Sequence, residues 1–562
     1  MTVPIGPEGI HDQAGSPPLT MFGPDFPFAY DDYVRDPRGI GSVPPEAHGK
    51  RVAVIGAGLS GTLIARELLR MGLRPVVYEA DRIGGRMRSL PFEGYPGITA
   101  EMGAMRFPPS STTLFHYLDE MGLKTTPFPN PLADATPSTV VELKGVKHYA
   151  PTLDELPGIY GEVARAWTRT LDEYADAREL DAAIRARDAG RIKPLWNDLV
   201  RRYDDVTFYG FLCQSTAFPF ALREIFGQVG FGTGGWDTDF PSSILEILRV
   251  VCTAADDHHR GIDGGAQRLP ERLWDTPVDD AAHWPTGSSV RSLHADATPH
   301  PGVAAIRRTH PGTITITDTS GRIDTFPAAV FTAQGWMLLN TIRTDERLLP
   351  IDHWTAIERT HYMGSSKVFV LVDRPFWKDI DPRTGREVMS MTLTDRTSRG
   401  TYLLDFGDHR PGLICLSYTW ADDSRKLLPL DAHERMELML NSLGEIYPGV
   451  DIRGHIIADP VTLSWETERN FMGAFKANLP GHYRYQRRLY THFMQDRLPE
   501  TYRGFFMAGD DVSWTAGWAE GAVTTALNAV WGVMHHFGGR TAEGNPGPGD
   551  VYDEIAPLDL DA

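Results

Sequence analysis

The residues with the clearest chemical meaning form a glycine-rich turn near the start of the chain. The turn has the spacing G-x-G-x-x-G and contains Gly56, Gly58, Ser60 and Gly61. An apolar run at 52–55, typical of a strand, precedes it, and apolar positions at helical spacing follow. Glycines there let the backbone approach a pyrophosphate, which the N-terminus of the helix stabilises. The pattern predicts a dinucleotide site, with a tight turn that binds nothing as the alternative.

Two further features follow this turn. Glu79 ends the next apolar run, at 75–78, where its carboxylate can accept the two hydroxyls of an adenosine ribose. After Ala80, the glycine doublet at 84–85 is followed at once by Arg86, which offers guanidinium donors to a diphosphate. A simple nicotinamide dehydrogenase does not need this second clamp. A solvated basic turn is the alternative interpretation.

Composition limits the classes of function. The 562 residues are 41% hydrophobic, which predicts a globular chain of two or three domains. Lys and Arg number 55 against 74 Asp and Glu, a net charge of −19 with no basic cluster, so neither nucleic acid nor an anionic membrane is expected as a partner. No stretch reaches the roughly 20 apolar residues of a membrane span. The three cysteines lack disulfide-framework or metal-site spacing, which predicts a reduced, cytoplasmic protein without a metal.

The elements that must position these residues follow from periodicity. The strand, turn, helix and second strand at 51–79 make a β-α-β unit, which predicts a parallel sheet. Helical spacing dominates 151–250. Strand-like alternation at 303–318, 367–372, 388–393, 402–404 and 413–418 predicts a second, largely antiparallel sheet. A strand at 505–509 and an amphipathic helix at 517–536 predict a late return to the first domain. The expected fold class is therefore α/β (α+β).

The predicted domains are discontinuous. An irregular N-terminal arm at 1–47 is expected to lie over the body of the protein as a surface or dimer strap. The dinucleotide-binding domain takes 48–115, 255–325 and 500–540. A substrate-binding domain takes 116–150 and 326–499, a mainly helical domain takes 151–254, and 541–562 form a tail.

Several short sequence motifs are similar to motifs of one protein family. They are GGRMRS at 84–89, EMGAMRFP at 101–108, GSSK at 364–367, LSYTW at 416–420, GAFK at 473–476, AGDD at 508–511 and GWAEGA at 517–522. With the first turn and Glu79 they resemble the flavin amine oxidase superfamily, in its bacterial branch of L-amino acid 2-monooxygenases and oxidases. The resemblance implies FAD as cofactor, a Rossmann-like FAD-binding domain, a mixed-sheet substrate domain and a helical insertion. It also implies an L-amino acid and O2 as small-molecule partners, and a homodimer.

Roles for catalytic residues follow from this resemblance. Arg106 would pair with the substrate α-carboxylate, since a planar guanidinium holds a carboxylate through two parallel hydrogen bonds. Tyr418 would donate to the same carboxylate, and Trp420 and Trp518 would form aromatic walls beside the flavin. Lys367 would bond through a water to flavin N5 and favour reaction with O2. The alternatives are an exposed arginine, core tryptophans and a solvated lysine.

Further cofactor contacts are implied in the same way. A helix beginning near Gly517 would direct its positive end at the flavin pyrimidine edge, and small residues there allow close approach. Gly264 and Gly265 resemble a second FAD contact region, and Val290, expected in a strand, resembles the adenine contact. The remaining implied contacts are Met105, Arg106, Gly509 and Asp510.

The substrate prediction depends on one acidic residue. The segments 22–30 and 232–237 resemble the lysine-type members of the branch more than the tryptophan type, and there Asp239 would face a side-chain ammonium. The alternative is that Asp237 and Asp239 cap the following helix. Ala255 stands where some lysine-type relatives have a thiol residue, which leaves oxygenase against oxidase open.

The predicted reaction is oxidation of a basic L-amino acid, lysine first and then arginine or ornithine. Hydride transfer to flavin N5 and reoxidation by O2 would give the one-carbon-shorter amide with CO2, or a 2-oxo acid with NH3 and H2O2. No side chain stands out as a catalytic base. The alternatives are an aromatic, tryptophan-type enzyme, an NAD-dependent dehydrogenase and a non-catalytic FAD-containing protein.

Overall fold

A parallel β-sheet forms the centre of the protein. The computed structural model describes residues 19–229, 241–255, 257–279, 281–407 and 410–561. Within them this sheet has five strands, in the order Phe505–Met507, Ala328–Phe331, Arg51–Ile55, Arg74–Glu79 and His300–Pro301. Helix Leu59–Arg70 connects the third and fourth of these strands and ends before Gly72, whose φ is +86°. The β-α-β unit predicted from the sequence is confirmed.

The second sheet is largely antiparallel, as predicted. Its seven described strands run in the order Val461–Ser464, Ser365–Val372, Gly412–Trp420, Gly400–Leu404, Met391–Thr394, Thr139–Leu143 and Val146–Ala150. Only the pair formed by Met391–Thr394 and Thr139–Leu143 is parallel in this part of the described chain. The mixed α/β class expected from the sequence is confirmed.

Residues 303–318 do not join that second sheet, so this expectation is wrong. They form two strands of a separate sheet with the order Ile323–Phe326, Thr313–Asp318, Val303–His310 and Arg343–Thr344. The next strand, Ala328–Phe331, belongs to the parallel sheet, although this segment of the dinucleotide-binding domain was predicted to end at 325. Alternation of apolar residues identifies a strand but not its partner, because every sheet imposes the same period of two.

Short strand pairs complete the described β-structure. They are Ser89–Phe92 with Tyr95–Glu101, Thr125–Pro127 with Arg260–Ile262, Tyr362–Met363 with Phe475–Lys476, and Ile380–Asp381 with Arg386–Glu387. The helices of the segment expected to be helical are Gly158–Ala175, Ala177–Arg185, Ala189–Tyr203, Phe208–Gln214, Phe220–Val229 and Ile244–Cys252. The other α-helices described are Tyr30–Arg35, Leu59–Arg70, Thr112–Glu120, Arg268–Asp275, Met337–Asn340, Ile351–Arg359, Ala421–Arg425, Ala432–Ile446, Tyr483–Tyr490, Ala519–His536 and Tyr552–Ile555. None of the described helices is long and apolar enough to cross a membrane.

The described part of the N-terminal arm packs into the main hydrophobic core, and its role as a surface or dimer strap stays a prediction. Phe22, Phe26 and Phe28 are buried in the same hydrophobic cluster as the central helices. The Tyr30 hydroxyl donates a hydrogen bond of 2.6 Å to Asn528 Oδ1, near the other end of the chain. The aromatic patch in this arm is therefore apolar surface that the chain itself covers.

Helix Ala519–His536 is buried on nearly all sides rather than amphipathic as expected. It packs against helix Leu59–Arg70, and Ser60 Oγ donates to the Ala522 carbonyl at 2.8 Å. Its exposed positions concentrate at the His535–His536 end. A helix enclosed by other elements can be apolar all round, and its periodicity then says little about which face it buries.

Candidate active site

A first cavity opens where the carboxyl ends of the parallel strands meet. Gly56, Glu79, Thr332 and Gly509 each follow or end one of these strands, and all four line the cavity. Most residues predicted to hold the cofactor lie along its wall, namely Gly56, Gly58, Ser60, Glu79, Ala80, Gly85, Arg86, Gly509, Asp510, Gly517 and Trp518. This edge is where open α/β sheets bind their ligands, because loops there diverge and leave a crevice.

The glycine-rich turn is as tight as the sequence predicts. Gly56 has a φ of +106°, and a Cβ on Gly61 would lie 1.9 Å from the Gly56 carbonyl oxygen. Glu79 faces the turn and accepts hydrogen bonds from the amides of Ala57 at 2.7 Å and Asp81 at 2.9 Å. Burial raises the pKa of the Glu79 carboxyl above its usual value. The carboxylate is thus fixed at the cavity wall, where its remaining lone pairs can accept hydroxyl groups.

Arg86 is held by an acidic partner in addition to facing the cavity. Its guanidinium forms an ion pair with Asp510 and donates to the Ala474 carbonyl at 3.2 Å. Gly103 packs against it so closely that a Cβ would lie 1.6 Å from the Arg86 carbonyl oxygen. The sequence predicted guanidinium donors here, and the structure adds that Asp510, 424 positions later, orients them.

Lys367 also lines the first cavity. Strand pairing places it opposite Tyr418, and its Nζ lies 4.5 Å from the centre of that phenol ring. Nζ donates to the carbonyls of Glu101 at 2.9 Å and Gly103 at 2.5 Å. Burial lowers the pKa of Lys367 to about 7. The group can therefore change its charge near neutral pH, and the solvated lysine considered from the sequence is wrong.

A second cavity adjoins the first. Gly103, Ala104, Tyr418, Phe475, Gly517, Trp518 and Ala519 line both. Trp420 lines the second cavity, with ring centroids 5.3 Å from Tyr418 and 5.1 Å from Phe475. The predicted aromatic residues thus come together around a shared wall, and a small molecule in the second cavity would touch whatever fills the first.

Arg106 reaches the second cavity with one edge of its guanidinium uncommitted. Nη1 donates to Asn130 Oδ1 at 3.2 Å and to the Tyr402 hydroxyl at 3.4 Å, while Nε and Nη2 make no hydrogen bond to any residue the structure describes. Over the same described residues, no carboxylate lies within 4 Å of it. The side chain is 9% exposed. A buried guanidinium with a free two-donor edge is suited to bind a carboxylate ligand.

Asn130 connects Arg106 to a buried histidine. Its Nδ2 lies 2.6 Å from His259 Nδ1, and the His259 ring lies 5.5 Å from that of Trp518. Burial first, and the Arg106 charge second, hold the pKa of His259 well below its usual value. The histidine is therefore neutral and serves to orient Asn130 and, through it, Arg106. Neither Asn130 nor His259 was predicted from the sequence.

Several residues predicted to contact the cofactor, among them Val290, Met105, Gly264 and Gly265, do not line the first cavity. Val290 precedes a short 3-10 helix instead of lying in a strand, and its carbonyl oxygen lies 2.8 Å from His294 Nδ1. A different valine, Val303, lines the first cavity. Met105 lines the second cavity and not the first. Asp239 lies outside the described residues.

Other residues that line the second cavity were missed. Lys476 donates to Gln486 Oε1 and to the Ser513 carbonyl, and burial lowers its pKa to about 8. Trp514 and Glu246 line the same cavity. Lys476 belongs to the GAFK block, which could have marked it, but Trp514 and Glu246 carry no local signal.

Comparison with known proteins identifies the class. Residues 59–534 match the family of flavin containing amine oxidoreductases, and the chain belongs to that family. It is 33% identical over 542 residues to the tryptophan 2-monooxygenase of Pseudomonas savastanoi, covering 90% of this chain and 93% of that one. The corresponding enzyme of Pantoea agglomerans pv. gypsophilae is 32% identical over 546 residues, covering 90% and 92%. A structure of putrescine oxidase bound to putrescine aligns with a TM-score of 0.64 at 20% identity, over 87% of this chain and 99% of that one.

The family establishes FAD as the cofactor, and the first cavity fits it. Glu79 would supply the acceptor for an adenosine ribose, and the turn at Gly56–Gly61 would let the backbone approach a pyrophosphate. Lys367 and the start of helix Ala519–His536 line the same cavity and supply positive charge. The protein is a flavin-dependent oxidoreductase.

Proposed function

We propose that this protein is an FAD-dependent L-amino acid 2-monooxygenase or oxidase acting on a basic amino acid, with lysine first and arginine or ornithine next. The observation that carries the proposal is the uncommitted edge of Arg106 in a cavity that shares its wall with the cofactor cavity. A simple amine has no anionic group that could pair with this guanidinium, whereas an amino acid has its α-carboxylate. The choice of an amino acid over an amine therefore depends on Arg106.

The residues of the chain act mainly by binding and orienting. Arg106, held by Asn130 and Tyr402, fixes the α-carboxylate, and this turns the α-carbon toward the shared wall. Trp420 and Trp518 form apolar surfaces that exclude water. When bound, FAD would supply the acceptor for a hydride from the α-carbon and the reaction with O2.

Lys367 is proposed to serve the oxygen half of the reaction. Two backbone carbonyls hold its Nζ at the wall of the first cavity, and no carboxylate of the described residues forms an ion pair with it within 4 Å. A positive charge there would stabilise the negative charge that develops when O2 accepts electrons. Carbonyl oxygens do not neutralise an ammonium as a carboxylate would.

The relatives support the reaction type. Two tryptophan 2-monooxygenases align over more than nine-tenths of their own length, which supports α-oxidation of an amino acid with oxygen. An aromatic substrate is the second candidate. The names of these relatives favour it, and so does the second cavity, which is lined by Trp420, Trp514 and Trp518. The basic substrate is supported by the resemblance of segments 22–30 and 232–237 to the lysine-type members. The same resemblance predicts the role of Asp239, and Asp239→Ala tests it.

A product assay separates these candidates. Purified enzyme is incubated with L-lysine, L-arginine, L-ornithine, L-tryptophan and L-phenylalanine, and the amide, 2-oxo acid and peroxide are measured for each. We expect the basic amino acids to react fastest. Faster reaction with tryptophan or phenylalanine would reject the basic substrate, and reaction with amines alone would reject the amino acid.

Two further predictions accompany the function. The resemblance to the family predicts a homodimer, which sedimentation or light scattering would measure. The three cysteines, all free, agree with the predicted cytoplasmic location.

A further inference from the structure

The carboxyl group of Asp511 lies buried beside the first cavity, and the proposed function has no role for it. The residue follows Asp510 in a short 3-10 helix and is 2% exposed. Its Oδ2 accepts hydrogen bonds from the Tyr362 hydroxyl at 2.9 Å and from the Gly335 amide at 3.1 Å. Its Oδ1 accepts none from any residue that the structure describes. Within the described chain, neutral donors therefore reach one of the two oxygens, and the other has no donor.

The charges around Asp511 do not balance it. Arg86 forms its ion pair with Asp510, and no cation of the described residues lies within 4 Å of the Asp511 carboxylate. Lys476 acts on both carboxylates over a longer distance, while its ammonium donates to two neutral acceptors. Burial first, and the Asp510 charge second, raise the pKa of Asp511 to about 6. Arg86 and the Tyr362 hydroxyl act in the opposite direction.

The surroundings of Oδ1 offer an acceptor for a proton bound there. A Cβ on Gly509 would lie 2.8 Å from Asp511 Oδ1 and 3.4 Å from the Thr332 carbonyl oxygen, so both oxygens border the same side of Gly509. As a carboxylate, Asp511 brings two acceptors together on that side. As a carboxylic acid, it has a hydrogen to donate. Burial of a carboxyl group without a contacting cation favours the same neutral form.

We infer that Asp511 takes up a proton when FAD binds, so that loading of the cofactor is linked to pH. Arg86 is the guanidinium predicted to meet the diphosphate, and it already pairs with Asp510. Two carboxylates and a diphosphate would then face this guanidinium, and protonation of Asp511 removes one negative charge. The step is proton binding alone: the carboxylate and one proton from the buffer become the carboxylic acid, and no covalent bond of FAD changes. This linkage does not depend on which substrate the protein oxidises.

Calorimetry of FAD binding counts these protons. FAD is titrated into the full-length apoprotein at pH 7 in buffers with small and large heats of ionisation. The dependence of the binding heat on the buffer gives the protons taken up per FAD. Lys367 and Glu79 line the same cavity and can add to the count, so the quantity compared is the difference between the unmodified protein and Asp511→Asn. The amide resembles the neutral acid, so this variant should bind FAD without the proton.

The expected difference is about 0.4 proton per FAD at pH 7, which is what a tenfold increase in proton affinity gives for a group with a pKa of about 6. The same increase makes FAD bind about fivefold more weakly at pH 8 than at pH 6, and Asp511→Asn should remove that share of the pH dependence. At pH 8 the variant should bind FAD no more weakly than the unmodified protein, since it needs no proton.

A matched variant serves as the control. Asp318→Asn changes a carboxyl group that is also 2% exposed and does not line the first cavity, and it should keep the proton count of the unmodified protein. Equal counts in the unmodified protein and Asp511→Asn would overturn the inference. Weaker binding of FAD by Asp511→Asn at both pH values would also overturn it, because the carboxylate would then serve the structure alone.

A second variant keeps the test open should Asp511→Asn fail to fold. Tyr362→Phe removes the hydroxyl that donates to Asp511 Oδ2 and holds its pKa down. The pH at which proton uptake is greatest should therefore rise. A profile identical to that of the unmodified protein would contradict the role of Asp511.

Discussion

Replacing Arg106 by alanine should disable substrate binding while leaving the cofactor in place. Its free edge, Nε and Nη2, can form two parallel charge-assisted hydrogen bonds to a carboxylate. Each such bond contributes about 1.5–3 kcal/mol, so the pair contributes about 3–6 kcal/mol. At about 1.4 kcal/mol per factor of ten, this predicts a loss of about 10²–10⁴-fold. Solvent screening reduces it little, because the side chain is 9% exposed.

The assay is anaerobic stopped-flow reduction of the flavin by L-lysine, from which the limiting rate constant divided by the dissociation constant is obtained. Arg106→Lys keeps a point charge but loses the planar fork, so it should lose about half the free energy, which corresponds to about 10–100-fold. FAD content should not change, since Arg106 does not line the first cavity.

Two controls make the result specific. 1,5-Diaminopentane is lysine without its carboxylate, and its reaction, however slow, should be equal in both forms. Arg51→Ala removes an arginine that pairs with Asp324 at 3.0 Å outside both cavities, and it should leave lysine reduction unchanged. Reduction of Arg106→Ala by lysine within about threefold of the unmodified enzyme would refute the reasoning.

Three further predictions concern the cofactor cavity. Lys367→Met should slow reoxidation of the reduced flavin by O2 at least about tenfold and spare reduction, measured by stopped flow; the reverse pattern would contradict the assigned role. The second prediction concerns pH, because burial lowers the pKa of Lys367 from its ordinary value of 10.5 to about 7. Between these two pH values the unfolded chain holds one more proton at this group than the folded chain does. The free energy of unfolding should therefore rise with pH across that window, by up to about 1.4 kcal/mol per pH unit. Urea unfolding of the holoenzyme at several pH values should show that rise reduced in Lys367→Met, and parallel profiles would refute it. Gly61→Ala should abolish FAD loading, measured as flavin absorbance per chain, because its Cβ would lie 1.9 Å from the Gly56 oxygen, whereas Gly444→Ala, which meets open space, should load normally.

Local patterns determine what the sequence can predict about this fold. The strand at Arg51–Ile55, the glycine turn and the helix after it are neighbours in the chain, so periodicity and glycine spacing identified them. Partners distant in sequence were not predictable in this way. Strand Val303–His310 pairs outside the predicted sheet, and the pairing of Arg86 with Asp510 depends on the complete fold.

The site shows the same division. The site combines residues from distant segments of the chain, namely Arg106, Lys367, Tyr418 and Trp518. Their spacing does not predict that they share a site; the family resemblance does. Glu246 lies in the first turn of a helix, where an acidic residue is ordinarily explained by the helix dipole. The sequence alone therefore does not indicate that Glu246 lines a cavity.

The contact between the two ends of the chain constrains how the protein is made. Ser60 bonds to the Ala522 carbonyl across 462 positions, and the edge strand Phe505–Met507 completes the parallel sheet. At translation rates of about 5–20 residues per second, the glycine turn waits on the order of 20–90 s for the helix that covers it. The first cavity is therefore complete only when synthesis has nearly ended, and FAD must bind to the finished chain. A ribosome that stops before strand Phe505–Met507 releases a polypeptide in which the edge of strand Ala328–Phe331 is exposed, and such a polypeptide is a substrate for chaperones or proteases and not a partly active enzyme.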